Sequence, residues 1–141
     1  MQTTLSKSDT SAALAAPRAA VWTGYVLTGL VAAFLVFDIA GKLIRSPFAV
    51  ERTVQLGYHA EQVVVIGLIE LVCLVLCLFP RTAVLGTILM TGYFGGAVAT
   101  NMRASTPTFN QVFPVIMGAL LWIGLMLRER RLWALMPIRN G

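Results

Sequence analysis

A single carboxylic acid, Glu70, interrupts the apolar run IGLIELVCLVL at residues 66–76. Nothing beside it in the chain can solvate it. An ionised carboxylate near the middle of an isolated membrane span costs on the order of 2.5–3.5 kcal/mol on insertion scales, so such a residue faces a bundle interior and finds a partner. Other polar side chains reach similar depth in neighbouring apolar runs. Asp38 and Lys42 are four apart, which puts them on one helix face where they pair. Thr91 and Tyr93 fall mid-way along a third run, and Thr100, Asn101 and Arg103 close it.

This set supports two kinds of chemistry. Glu70, Asp38, Lys42, Tyr93, Asn101 and Arg103 together would hydrogen-bond the polar head of a lipophilic molecule such as a quinone, with aliphatic walls around its body. Alternatively, Glu70 as proton donor and Asp38 as acceptor would make a membrane enzyme, an isomerase or cyclase working on an apolar substrate. A third reading is structural: Glu70 as an interhelical hydrogen bond that holds the bundle in register, and Asp38–Lys42 as an interfacial ion pair. A transporter is disfavoured, because no internal repeat is visible and no polar path crosses the other half of the spans.

Metal and cofactor chemistry has little to work with. Cys73 and Cys77 share the run with Glu70, and their i, i+4 spacing on a helix suits a disulfide poorly, so they read as small buried apolar groups. The one histidine, His59, lies outside the run. No haem-type C-x-x-C-H, glycine-rich nucleotide loop or cysteine ligand set is present, so no cofactor is expected, and redox work would need a partner protein.

The elements that must position these residues are transmembrane helices. The chain has 141 residues, 57% hydrophobic and 12% charged, too few charges to cover a soluble domain. Four apolar spans follow a polar, alanine-rich tail at 1–19: AVWTGYVLTGLVAAFLVFDIA, QVVVIGLIELVCLVLCLF, TAVLGTILMTGYFGGAVAT and QVFPVIMGALLWIGLML. Each approaches the ~20 residues needed to cross a bilayer core. The expectation is an all-α, up-down bundle over residues 20–137, with helices at 20–43, 62–79, 82–101 and 111–128. Pro80 and Arg81 make the middle pair a tight hairpin. A β-barrel is excluded, since nothing alternates.

Seven Lys and Arg (Lys7, Arg18, Arg81, Arg128, Arg130, Arg131, Arg139) fall on the side of the termini, against Lys42, Arg45, Arg52 and Arg103 on the other. The excess places both termini in the cytoplasm and puts the polar groups in the outer half. The net charge of +5 is read as topology and lipid contact, not nucleic-acid binding. Trp22, Trp122 and Trp133 are expected at the interfacial belt, and RERRLWALMPIR as an amphipathic anchor. Residues 43–61 read as a loop laid across the outer mouth as a partial lid, with His59 and Glu61 plain loop residues. Gly92 and Gly96 form a G-x-x-x-G, read as helix packing or a dimer face, or as a cavity floor. Whether two protomers meet as a homodimer stays open.

The chain resembles the DoxX-like family in FDxxxK at the end of the first span, in IELVCLVLCLFPRTAVLGTILMTGYFGGAVATNMR, and in VFPVIMGALLWIGLMLRERRLWALMP. The resemblance covers about residues 24–137. It implies a four-helix bacterial inner-membrane protein, most members having no assigned activity. The wider group includes proteins named after a thiosulfate:quinone oxidoreductase subunit and others linked to membrane redox or oxidative-stress complexes. Relatives carry histidine where this chain has Asn101, so that proton chemistry is absent here.

Overall fold

The computed structural model describes residues 17–135, which are helical apart from short turns. The elements are α1 (Arg18–Leu43), α2 (Pro47–Gln55), α3 (Gln62–Leu78), α4 (Ala83–Arg103), α5 (Thr108–Arg128) and α6 (Arg131–Leu135). Residues 1–16 of the expected tail, with Lys7, and residues 136–141, with Arg139, lie outside the described residues. Arg18 and Ala19, assigned to that tail, already belong to α1.

The four long helices form a ring. Helix α1 packs on α3 and α5, and α4 packs on the same two. Sequence neighbours run antiparallel because their turns are short: residues 79–82 join α3 to α4, and 104–107 join α4 to α5. The core is a column of Val31, Leu35 and Ile39 from α1, Leu74 and Cys77 from α3, Met90 and Phe94 from α4, and Met117 and Leu121 from α5. The outer surface is as apolar as the core: Val26, Leu30 and Phe37, Val65 and Ile69, Leu85 and Ile88, Val115 and Ile116 are all exposed. Water would not tolerate such a surface, whereas hydrocarbon does. Helices α1, α4 and α5 are long and apolar enough to cross a membrane, and α3 is a 17-residue apolar helix beside them. The protein is a membrane protein.

Two ends of the bundle differ. At the end carrying the 79–82 turn, glycines bring backbones together. A Cβ on Gly86 would run into the Cys77 nitrogen, and one on Gly24 would lie 2.6 Å from the Gly124 carbonyl oxygen. Pro80 and Thr82 fix the α3–α4 turn, with the Thr82 hydroxyl donating to the Leu76 carbonyl at 2.9 Å. At the opposite end the helices stop by the same device twice. Arg45 and Ser105 take left-handed backbone, at φ 54° and 52°, each followed by Ser46-Pro47 or Thr106-Pro107. The Ser46 and Thr106 amides donate back to the Gly41 and Asn101 carbonyls, a Schellman closure. Pro47 then opens α2 at the position where its missing N–H costs nothing, and Pro107 caps the start of α5.

Several expectations are corrected here. The lid segment holds a helix, α2, which packs on α1 and α3, and beyond it the Tyr58 hydroxyl hydrogen-bonds the Thr100 hydroxyl of α4 at 3.1 Å. Thr53 is its buried residue, while Phe48 and Val54 face outward. Helix α5 begins at Thr108, three residues early, and continues through the buried Pro114. Gly92 and Gly96 make no packing contact within the bundle, and Gly86, Gly24 and Gly124 take that role. The Trp122 indole N–H donates to Thr91 Oγ1 at 2.8 Å, tying α5 to α4.

Gly86→Ala should lower the thermal midpoint in detergent, since its methyl meets backbone and overpacking costs about 1–3 kcal/mol. Gly92→Ala has open space around it and should leave the midpoint unchanged or slightly raised.

Candidate functional site

The polar side chains converge at the end of the ring opposite the 79–82 turn. Asp38 and Lys42 rise from the last two turns of α1, Glu70 from the middle of α3, and Tyr93 from the middle of α4. Because α3 runs against α1 and α4, Glu70, eight residues into its helix, comes level with the last two turns of α1 and the middle of α4. The Lys42 ammonium is the hub. It donates to Asp38 Oδ2 at 2.5 Å, to Glu70 Oε2 at 2.5 Å and to the Tyr93 hydroxyl at 2.9 Å. Tyr93 in turn donates to Glu70 Oε2 at 2.8 Å. An ammonium has three hydrogens and a phenol one, so every donor in the cluster is spent.

Burial is graded across the cluster. Glu70 is 1% exposed, Lys42 15% and Asp38 41% by side chain. The ammonium therefore lies between a sealed carboxylate and an open one. Both carboxylate oxygens sit 2.5 Å from one nitrogen, so the two acids lie within twice that distance of each other.

The reach of Lys42 depends on Gly67, one turn before Glu70. A Cβ on Gly67 would lie 2.9 Å from Lys42 Cβ and 3.7 Å from its Cδ, so the bare glycine backbone is the channel through which the lysine stem crosses α3. Gly67 escaped the reading of the sequence. The available signal was its i−3 spacing to the lone acid, which puts the two on one face of α3.

Four of the six expected ligand-binding residues thus come together. The other two do not join them. Asn101 is buried but serves the α4–α5 turn: its amide donates to the Ala97 carbonyl at 2.8 Å and its Oδ1 accepts from Thr106 at 3.0 Å. Arg103 is exposed, its guanidinium beside Gly57. Cys73 and Cys77 are free and buried, and the Thr87 hydroxyl points to Cys77 Sγ at 4.0 Å. His59 is exposed and meets Gln62 through its backbone, its amide donating to the Gln62 side chain and its carbonyl accepting from the Gln62 amide. No group of three or more His, Cys, Asp or Glu among the described residues could hold a metal ion.

Residues 26–124 match the DoxX-like family, a stretch that contains every member of the cluster. The chain belongs to the DoxX-like family. No curated protein and no solved structure matches it. In this DoxX-like protein the hub joins three helices of the matched region, so its chemistry is built on the family's fold and not on an appended segment.

Removing Lys42 strands a buried carboxylate. Lys42→Met should cost about 3–5 kcal/mol of stability, the range for breaking one side of a buried ion pair. Adding Glu70→Met should recover much of that loss, because Asp38 can still turn toward water. Thermal unfolding of the single and double variants in detergent checks this.

Proposed function

We propose that this DoxX-like protein spans the bacterial inner membrane four times, with both termini in the cytoplasm, and binds the polar head of a lipophilic small molecule at the Asp38–Lys42–Glu70–Tyr93 cluster. The 17-residue α3 covers about 25 Å at helical rise, within the range that spans. It is flanked on both sides by longer apolar helices. The Lys and Arg excess on the side of the termini supports the orientation, which puts the cluster in the outer half.

The observation that carries the binding reading is the graded burial around one ammonium. A purely structural clamp would be sealed on all sides. Here the acid that fixes Lys42 is sealed and the acid beside it is open, so a head group can approach without dismantling the clamp. The catalytic alternative fits less well. Glu70 Oε2 already accepts two hydrogen bonds, and the side chain presents almost no surface to a substrate.

A quinone is one form such a ligand takes, its carbonyl oxygen replacing Asp38 on Lys42. In a redox setting the electrons would come from a partner protein, and this chain would hold the carrier as an accessory. Association of two copies into a homodimer would leave this arrangement unchanged.

Native mass spectrometry of protein extracted gently from membrane tests the reading. The wild type should carry a bound small molecule beyond bulk phospholipid. Glu70→Gln should lose it, because the hub loosens, while circular dichroism stays helical. A wild type that carries only bulk phospholipid would remove the binding reading. For the orientation, a cysteine placed at Arg81 should react with an impermeant thiol reagent only after the cells are opened.

A further inference from the structure

We propose that the open side of the cluster is a site for a lipophilic organic cation carrying aromatic rings. The inference rests on the head-group reading above and names the chemistry of the head. Hydrogen accounting leads to it. Lys42 has spent its three hydrogens on Asp38, Glu70 and Tyr93, and Tyr93 has spent its one on Glu70. A head that offers only acceptors, such as a carbonyl, must first break one of these bonds. What the cluster leaves open is an acceptor: Asp38 accepts through Oδ2 from Lys42, and its side chain is 41% exposed.

Charge points the same way. With both carboxyls ionised and Lys42 protonated, the cluster has two negative groups and one positive. The formal excess is one negative charge, and it falls on the open carboxylate of Asp38. A monocation beside Asp38 neutralises that excess and needs no rearrangement of the clamp.

The surroundings supply the body of the site. Phe34 lies one turn before Asp38 on the same face of α1. Its ring meets Phe113 of α5 edge-on, with centroids 5.2 Å apart and planes at 65°, and Phe113 meets Phe109 at 5.6 Å. Phe34 and Phe109 are exposed, so this aromatic row along the α1–α5 seam faces hydrocarbon. Aromatic faces attract organic cations and stack on their rings, and both effects strengthen away from water. A carboxylate at the end of an aromatic row selects charge with one group and ring area with the others.

The test uses the full chain in mild detergent and equilibrium dialysis against three probes, with empty micelles subtracted. Tetraphenylphosphonium is the aromatic cation, tetraphenylborate its anionic counterpart of the same shape, and a short-chain ubiquinone the neutral acceptor head. Tetraphenylphosphonium should bind saturably and tetraphenylborate should not. Asp38→Asn should weaken the cation about tenfold, and Phe113→Leu about threefold. Asp38→Glu should retain most of the affinity, which separates loss of charge from loss of fold. Equal binding of the two tetraphenyl ions, or an affinity untouched by Asp38→Asn, would mean adsorption to the apolar surface and would overturn the inference. Ubiquinone binding without tetraphenylphosphonium binding would overturn it too, while supporting the broader head-group reading. Failure of all three probes to bind would also overturn it, and the broader reading would still be decided by the mass of the native complex.

Discussion

A single ammonium, Lys42, ties three of the four long helices to one point. Its own helix supplies Asp38, the antiparallel neighbour supplies Glu70, and the helix across the ring supplies Tyr93. In water such an arrangement would be worth little, because each group has solvent as an alternative partner. In hydrocarbon the alternative is an unsolvated charge. The groups are therefore bound to one another, and the helices carrying them are held at fixed height relative to each other. Apolar packing alone gives weak preference for one height, since lipid tails and leucines are equivalent neighbours.

The same constraint explains which small residues matter. A clamp between helix backbones requires the backbones to lie close. The glycines that allow this are those facing another chain segment: Gly86 against Cys77, Gly24 against Gly124, and Gly67 beneath the Lys42 stem. The glycines of the G-x-x-x-G segment face outward and add no contact inside the ring. Composition marks both sets equally. Only their angular position around the helix separates them.

Much of the arrangement was legible in the sequence. A lone acid in an apolar run has few options, so the burial of Glu70 followed from solvation cost alone. The Asp38–Lys42 pair followed from helical spacing. Convergence of the two, with Tyr93, followed from depth once the helices were set antiparallel. The misses have a common cause. Asn101 and Arg103 were grouped with the others by depth, yet depth along the bundle does not fix direction around it. Asn101 turns to its own helix end, where the Ala97 carbonyl and the Thr106 hydroxyl are nearer than any partner on another helix. Helix α2 was missed because its nine residues are short and mixed in polarity, although Ser46-Pro47 is a helix-start signal.

The glycine contacts all but join the backbones at the end of the 79–82 turn, and the polar hub sits at the other. The quartet is thus built like a clothes-peg. Its jaws are closed by charge and its spring is van der Waals contact between main chains. Main chains already touch at the pinched end, so any play between the helices falls to the jaws. A loosened hub would let α1 move from α3 and α4 at that end alone, while α1 and α5 stay pressed together at Gly24 and Gly124.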